Sequence, residues 1–489
     1  MNMKRIRTWL EDPYILILIG ITVLAAVTRL YHFEGFVGYL GDQGRDAIII
    51  RRIATLEDFP GIGPSSSVGN VFLGPFFYYF SAPWLLLFNF NPIGPAYGVA
   101  LTSIAAIPLA YFAMKKLSDK TTAMVFVFCM AVSYSMVSLT RFAWNPNLLP
   151  ISSFFSVYFF IQARQKQKLW MYALVGVFIS ISIQFHYVAL ALGLPMGLYL
   201  AKDLVVRIRQ HRIVLYLKQL LAMGTGFVLL LLPFILFDIR NNFLNLRGFI
   251  GIFDGERGSG RSAIQEILYT FSEFIYHAFQ VRVFEKGAGV VLLVLIVSAI
   301  FAYKKRKHTL VLFHVFFGCV LVLTSFFTNV KNLHYFGPLY PLVYIISAYI
   351  VVSLSRFLKM PLLILLCLVG FLFSQRQLTM YFMHNGSHLI QRAENISQKI
   401  YDTSDTQTIQ ITSLPDHYGD YMYRYFLEVW GKRPVERASL IKADELYVVC
   451  EEACKPIGDP QWDIAYFQPT DIAGTWNVED VTIYKLIRK

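Results

Sequence analysis

Two carboxylates stand four residues apart just beyond the first apolar stretch of the chain. The segment reads YLGDQGRDAIIIRR, with Asp42 and Asp46 on either side of Arg45. Residues at this spacing share one side of a helix, so the two acids can act together, one of them accepting a proton from a substrate hydroxyl or amine. Gly41 and Gly44 flank Asp42 and allow the backbone to turn closely there. A helix cap is the alternative role, and it suits Asp42 better than Asp46.

A second group of polar residues lies at the ends of later apolar stretches. Arg141 occurs in TRFAWNPNLLP, His186 in QFHYVAL, and Lys331, His334 and Tyr335 in NVKNLHYFGPLYP. Because cationic donors hold phosphate, Arg141, His186 and Lys331 are predicted to converge on a phosphate group in one cavity, with His334 or Tyr335 nearby. As an alternative, polar residues at span ends serve as interface anchors, which applies most to Lys331 and Tyr335.

The elements that must position these residues are membrane spans. The chain has 489 residues, of which 56% are hydrophobic and 15% charged, and its mean hydropathy is +0.51. Soluble domains are typically about 45–50% apolar and about 25% charged. The composition therefore excludes a soluble enzyme, a disordered chain and a disulfide scaffold, and it indicates a polytopic α-helical membrane protein. The net charge of +13 is attributed to cytoplasmic loops rather than to nucleic-acid binding, which is not expected.

Eleven apolar stretches are long enough to be candidate spans. They lie near residues 13–30, 94–114, 121–140, 147–163, 169–186, 188–204, 213–237, 287–303, 309–328, 336–354 and 361–375. A twelfth stretch, residues 71–90, is rich in aromatic residues and contains two prolines. If it does not cross and the N-terminus is cytoplasmic, all six short basic clusters face the cytoplasm. We therefore predict that 71–90 lies in the outer interface, and that the first outer loop is 31–93 and the second 238–286.

The tail, residues 376–489, is predicted to be a small extracytoplasmic α/β domain that follows a transmembrane catalytic domain, residues 1–375. From His384 onward the chain carries 11 basic and 16 acidic residues, whereas the rest carries 33 and 15. Cys450 and Cys454 lie in this tail and allow a disulfide if it is extracytoplasmic. Sequence periodicity predicts helices and strands in the tail. The helices are expected near 390–402 and 417–430, and the strands near 406–413, 445–450 and 480–487.

Several of these segments, in this order, make the chain resemble the GT-C superfamily of glycosyltransferases over residues 13 to about 355. The resemblance is to glycosyltransferase family 39, which comprises protein O-mannosyltransferases and aminoarabinose transferase-like enzymes. Asp42 matches the Asp of an acidic pair in that family's first outer loop. Gln43 replaces the usual Glu, and Asp46 is the candidate substitute.

Later segments continue the resemblance. LGPFFYYF, residues 73–80, matches a Pro-rich surface helix, and Arg141 matches an Arg at the outer end of the third span. Gln184 to Val188 loosely matches a short polar motif after the fifth span. Tyr335 and the two prolines that follow it match a Tyr-x-x-Pro-x-x-Pro-like segment. The resemblance implies the GT-C fold, with about 11 transmembrane helices.

The resemblance also implies an activity: transfer of a sugar, with inversion, from a polyprenyl-phosphate donor to an acceptor on the extracytoplasmic face. Asp42 would be the catalytic base and Asp46 the second acid. The predicted phosphate ligands are Arg141, His186, Lys331, His334 and Tyr335. The donor lipid is a substrate and no cofactor is implied; a divalent metal is allowed but not implied, and no metal ligands are predicted. The expected partners are the lipid-linked donor, a glycan, lipid or protein acceptor, and membrane lipids.

Three alternatives remain open at this point. A transporter or flippase usually shows internal repeats and polar residues near mid-membrane, whereas here no repeat is evident and the polar residues crowd the outer edge. An O-antigen ligase or polymerase of cell-envelope glycan assembly would share the donor chemistry but place its key residues in a large late loop. A receptor or scaffold that displays the tail would not need Asp42 or the outer cations.

Overall fold

The chain folds into a helical membrane part and a tail that contains one β-sheet. The structure, a computed structural model, describes residues 12–66, 71–254, 260–283, 285–327, 330–406, 408–436, 439 and 441–488. The basic cluster predicted near the N-terminus, in residues 4–7, lies outside these residues.

Helices make up nearly all of the described membrane part. In chain order they are α1 (Pro13–Leu30), α2 (Phe33–Phe36), α3 (Gly41–Ala54), α4 (Phe76–Leu87), α5 (Ile93–Leu117), α6 (Lys120–Val132), α7 (Tyr134–Leu139), α8 (Leu149–Lys166), α9 (Leu169–Phe185), α10 (Gly193–Arg209), α11 (Ile213–Arg240), α12 (Leu244–Asp254), α13 (Ala263–Phe279), α14 (Glu285–Lys304), α15 (His308–Ser325), α16 (Leu339–Leu358), α17 (Leu362–Ser374) and α18 (Met380–Met383). Short 3₁₀ helices lie at Asn145–Leu148, Tyr187–Leu192, Leu333–Phe336 and Arg376–Thr379.

Helices lie at all eleven positions predicted for spans, but not all of them meet the requirements of a span on their own. Within the described ranges, seven are long and apolar enough to cross a membrane, or eight if the bent pair that includes α17 is one span. The others are short or polar. The α6 helix ends where Ser133 takes an extended conformation, α9 has only 17 residues, and α8 ends in Arg164 and Lys166. Length and composition alone therefore identify seven or eight candidate spans in the described ranges, while helices occupy all eleven predicted positions.

The aromatic stretch at 71–90 forms a helix that is too short to cross. The α4 helix has 12 residues, which at about 1.5 Å per residue is about 18 Å, against a hydrocarbon core of about 30 Å. The preceding segment is tied down by side chains of the α9–α10 corner. The Gln184 side-chain oxygen accepts the N–H of Phe76 at 3.2 Å, and the Tyr187 hydroxyl donates to the Phe72 carbonyl. These contacts support the prediction that 71–90 stays at one face.

The span ends sort the charged residues onto two opposite faces. Arg356 pairs with Asp119 at 2.8 Å and Lys120 with Asp12 at 2.8 Å, so the ends of α1, α5, α6 and α16 meet. With a crossing at each of the eleven predicted positions, the other basic clusters fall at this same end. The Arg207 side chain also donates a hydrogen bond to the Gln167 side chain, which joins two of these clusters. We call it the basic face, defined by residues 115–120, 164–168, 207–212, 304–307 and 356–359. The other end, the site face, carries α3 and the segments around 141, 186 and 331–335.

The tail contains a four-stranded sheet between helices. Its elements are α19 (Leu389–Thr403), β1 (Ile409–Leu414), α20 (Tyr421–Val429), β2 (Glu445–Cys450), α21 (Trp462–Phe467), β3 (Asp471–Val478) and β4 (Val481–Ile487). The strand order is β1-β2-β4-β3, with β1 parallel to β2 and the other pairs antiparallel. The alternation of side chains puts Tyr447 and Val449 on the face toward α19 and α20, and Leu446 and Val448 on the face toward α21. A disulfide joins Cys450 and Cys454.

The tail packs directly on α3. A Cβ placed on Gly44 would lie 2.3 Å from the backbone nitrogen of Met422 in α20, so only glycine permits this approach. At the other end of α3, Arg51 and Arg52 both reach the Glu428 carboxylate of α20, at 3.2 and 3.1 Å. The helix that carries both candidate acids is therefore held by the tail.

Candidate functional site

An accessible carboxylate of the site face belongs to Asp42, in the first turn of α3. Its side chain is 55% exposed and pairs with Arg45 at 2.9 Å. The capping role belongs instead to Gln43, whose side-chain oxygen accepts the N–H of Leu40 at 3.1 Å. Asp42 itself lies inside the first turn of α3, where its carboxylate pairs with Arg45 and makes no capping hydrogen bond among the described residues.

Asp46, one turn later, is buried and holds Arg45 in place. Its Oδ1 accepts hydrogen bonds from Arg45 Nη2 at 2.8 Å, from Arg45 Nε at 3.0 Å and from the Tyr78 hydroxyl at 3.0 Å. Its Oδ2 is buried and has no hydrogen-bond partner among the described residues. Burial raises the pKa of Asp46 to about 6, although the charge of Arg45 acts in the opposite direction. Asp46 thus orients Arg45, and Arg45 in turn orients the exposed Asp42.

The raised pKa of Asp46 predicts how stability varies with pH. Because the pKa is 3.8 in the unfolded reference and about 6 when folded, the folded protein holds the proton more tightly. The contribution of Asp46 to the free energy of unfolding is fully present below about pH 4. It is lost as the pH rises through 6, by about 3 kcal/mol at most. Asp46→Asn removes this dependence, so its stability relative to the parent should rise between pH 4 and 7.

Thermal unfolding in detergent at several pH values measures this difference. Asp58→Asn is the matched control, since Asp58 is an exposed acid of the same loop and its difference from the parent should stay nearly constant. If the difference in unfolding midpoint between the parent and Asp46→Asn were the same at pH 4 and pH 7, the raised pKa of Asp46 would be contradicted.

Three of the predicted phosphate ligands lie together at the site face. The His186 ring lies 5.5 Å from that of His334 and 5.2 Å from that of Tyr335, centroid to centroid. His186 Nδ1 accepts the Val188 N–H at 3.2 Å, which assigns the hydrogen of the neutral ring to Nε2. Burial lowers the pKa of His186 to about 3, with a smaller effect from His334, and burial lowers that of His334 to about 4. His186, predicted as a cation, is therefore a neutral hydrogen-bond donor at pH 7.

Two aromatic residues connect this histidine cluster to the segment that carries Asp42. The Trp144 ring lies 4.8 Å from that of His334 and 6.2 Å from that of Phe142. A Cβ on Gly38, four residues before Asp42, would lie 3.6 Å from the Phe142 ring. A chain of ring contacts thus links the histidine cluster to residue 38, four residues before Asp42.

Arg141, a predicted phosphate ligand, uses its guanidinium at the end of α1. Nη1 donates to the carbonyls of Thr28 and Arg29, both at 2.9 Å, and Nη2 donates to that of Tyr31 at 2.7 Å. The Arg141 guanidinium is buried, and its central carbon lies 4.2 Å from the centre of the Tyr381 ring. Burial lowers the pKa of Arg141 to about 10. These bonds satisfy carbonyls that the helix end leaves free. The convergence of Arg141 with His186 and Lys331 stays a prediction, since these contacts involve neither residue.

Replacing Arg141 should therefore destabilise the fold. Arg141→Ala leaves three carbonyls without their donor, and hydrogen bonds from charged groups are worth about 1.5–3 kcal/mol each, so we expect a loss of about 3 kcal/mol or more. The midpoint of heat denaturation in detergent measures it. Arg240→Ala, an exposed arginine near the same end of the spans, should change the midpoint little. Equal midpoints for the two variants would show that the capping of α1 by Arg141 contributes nothing.

Lys331 is buried in an ion pair with α13. Its ammonium lies 3.1 Å from the Glu266 carboxylate, with side-chain exposures of 1% and 6%, and it donates to the Ser325 carbonyl at 2.7 Å. Burial lowers the pKa of Lys331, while Glu266 acts in the opposite direction. The charge of this predicted ligand is therefore already balanced by a carboxylate.

Four residues of this region were not predicted from the sequence. Arg45 lies between the two acids and could have been inferred from that position. Tyr78 gave no signal, because it stands in a run of aromatic residues. Trp144 and Glu266 act through contacts with residues more than 60 positions away. Among the described residues, no group of three or more His, Cys, Asp or Glu side chains is arranged to hold a metal ion.

The chain is similar to known membrane proteins in sequence over one segment and in structure over nearly its whole length. Residues 74–242 match the family model "dolichyl-phosphate-mannose-protein mannosyltransferase". A search of curated protein sequences finds no match. The structure is similar to ArnT from Cupriavidus metallidurans bound to undecaprenyl phosphate, with a TM-score of 0.61, 14% identity, and coverage of 96% of this chain and 97% of that one.

A second group of similar structures comes from the oligosaccharyltransferase of Archaeoglobus fulgidus. The form with zinc and sulfate has a TM-score of 0.50 at 13% identity and covers 89% of this chain and 67% of that one. The form tethered to an acceptor peptide has a TM-score of 0.52 at 13% identity and covers 87% and 64%. The matches confirm the resemblance stated from the sequence. The chain has the GT-C fold of these membrane glycosyltransferases, and its residues 74–242 match the protein mannosyltransferase family.

Proposed function

We propose that this chain is an integral membrane glycosyltransferase that takes a sugar from a polyprenyl-phosphate donor and transfers it, with inversion, to an acceptor on the extracytoplasmic face. One observation carries the proposal: within the GT-C fold, ring contacts through Trp144 and Phe142 link a cluster of neutral hydrogen-bond donors to the segment that carries an exposed carboxylate held by Arg45. The similarity to ArnT bound to undecaprenyl phosphate supports the class of donor.

Asp42 is the proposed base. Its carboxylate accepts the proton of the acceptor hydroxyl or amine while that oxygen or nitrogen attacks the anomeric carbon of the donor sugar. The bond from this carbon to the phosphate oxygen breaks, and polyprenyl phosphate leaves from the opposite side. Attack opposite the leaving group inverts the anomeric centre through an oxocarbenium-like state, as in glycoside chemistry generally. Arg45 orients the Asp42 carboxylate through their ion pair.

The histidine cluster is the proposed binding site of the donor phosphate. His186 Nε2–H, His334 and the Tyr335 hydroxyl supply hydrogen-bond donors for the negative charge that grows on the leaving phosphate. Arg141 and Lys331 donate to carbonyls nearby. We assign Arg141 an electrostatic role, in which its buried charge raises the potential around the phosphate without direct contact. The charge of Lys331 is balanced by Glu266, so its role is to fix the segment that carries His334 and Tyr335.

The proposed orientation places the basic face in the cytoplasm and the tail outside the cell membrane. The excess of Lys and Arg on one face supports it, as does the length of α4. The disulfide in the tail is typical of an oxidising compartment. In this orientation the acceptor, whether a glycan, a lipid or a protein, reaches Asp42 from the extracytoplasmic side.

A donor panel tests the function. The purified protein in detergent is incubated with polyprenyl-phosphate sugars, including mannose and aminoarabinose forms, and the release of polyprenyl phosphate is measured. We expect release from at least one donor and faster release when a hydroxyl or amine acceptor is added. Absence of both binding and release across the panel, with a related enzyme active beside it, would refute the proposal.

A further inference from the structure

A cavity of about 850 Å³ opens on the basic face, far from the proposed transferase site. It lies between the ends of α8, α10, α14 and α15. Its polar lining consists mainly of Arg164, Lys202, Lys304, Arg306, Tyr199 and Tyr303. Four cationic side chains therefore line one cavity. Side chains of like charge repel one another, so such a grouping requires an explanation.

Most of this charge is not compensated by the protein. Arg164 is paired with Asp203, with N–O distances of 2.6 and 2.7 Å. In the part of the chain that the structure describes, Lys202, Lys304 and Arg306 have no carboxylate within ion-pair distance. Arg306 also has a φ of 54°, in the left-handed region that favours glycine at a helix C-terminus. Arg306 thus occupies a position at which the backbone conformation favours glycine.

The surroundings of the cavity are those of a membrane interface. Tyr303 is 75% exposed, and Phe301 and Val205 on the neighbouring helix surfaces are each 50% exposed, as expected for residues that face lipid. Val311 and Leu312 add apolar lining beside the cations. The cavity therefore offers positive charge, tyrosine hydroxyls and an apolar wall at the depth where phospholipid headgroups lie.

We infer that this cavity binds the phosphate headgroup of an anionic phospholipid, with the acyl chains along α10 and α14. Basic pockets between transmembrane helices bind such headgroups, and each nearby Lys or Arg strengthens the attraction to an anionic leaflet. The chemistry recognised is a phosphate monoanion, which a free phosphate ion shares. The lipid is favoured because the cavity borders helix surfaces that expose apolar side chains. This inference is independent of the transferase chemistry.

The test compares two matched double variants of the full chain. Lys304→Gln with Arg306→Gln removes two cations of the cavity, whereas Arg209→Gln with Arg212→Gln removes two exposed cations of the same face outside it. Phosphatidylglycerol bound to each detergent-purified protein is titrated by native mass spectrometry. We expect about 10- to 30-fold weaker binding for the cavity variant and less than twofold for the control.

Further arms separate the sources of the anion. Phosphatidylcholine should bind parent and variants alike. Lys202→Gln, a single change of an exposed side chain, should weaken phosphatidylglycerol binding several-fold, which keeps the test decisive if the double variant is unstable. Equal phosphatidylglycerol affinity in parent and cavity variants would overturn the inference. It would also be overturned if inorganic phosphate raised the thermal midpoint of the parent as much as the lipid does, since the ligand would then be the free ion.

Discussion

Asp42→Asn should lower the rate of sugar transfer by about 10²–10⁴-fold, the range typical for loss of a general base. The asparagine keeps the size of the side chain but cannot accept the acceptor proton. Its cost in stability should be small. The helix end is capped by Gln43, and the ion pair with Arg45 involves a side chain that is 55% exposed, so we expect a loss of no more than about 1 kcal/mol. Transfer rates and donor binding are measured on the same purified samples.

Asp58→Asn is the control for this experiment. This substitution removes an exposed carboxylate that lies in the same outer loop, just after the end of α3. The Asp58→Asn enzyme should transfer sugar at the parent rate. Donor binding should be unchanged in both variants, because the proposed phosphate ligands lie in the histidine cluster. An Asp42→Asn enzyme with parental activity would remove the catalytic role of Asp42 while leaving the transferase assignment to be judged from the donor panel.

The positions of the helices and most tail strands could be predicted from the sequence, because hydropathy and periodicity are local properties. The strand that was missed, β3, contains Gly474 and Asn477 and lies at the sheet edge, where alternation is weak. Fewer helices than predicted spans are long enough to cross on their own, because a break such as that at Ser133 divides an apolar stretch without changing its composition.

Contacts among the candidate site residues could be predicted only where the residues are close in sequence. Asp42, Arg45 and Asp46 lie on one helix, so their relation follows from helical spacing. The protonation of His186 depends on burial by residues around 327–335, and the partners of Arg141 are carbonyls more than 100 residues away. Residue type and span position predict a cation at the membrane surface. Residue type and span position do not reveal which buried carbonyl or carboxylate that cation already contacts.

Gly44→Ala should lower transfer about 100-fold although it changes no group of the proposed chemistry. The new Cβ would lie 2.3 Å from Met422 N and 2.5 Å from Tyr421 C, both backbone atoms of α20, so α3 and the tail would have to separate. Overpacking of this kind typically costs about 1–3 kcal/mol, and a shift of about 1 Å in a catalytic group can cost about 10²-fold in rate.

A matched glycine separates this steric effect from the effect of alanine itself. Gly197, in α10, would have nothing within 4 Å of an added Cβ, so Gly197→Ala should keep parental activity and gain a little stability, since alanine favours a helix over glycine by about 1 kcal/mol. Limited proteolysis should cut the tail faster in Gly44→Ala than in Gly197→Ala. If Gly44→Ala transfers sugar at the parent rate with a tail equally resistant to protease, close packing of the tail on α3 is not what positions Asp42.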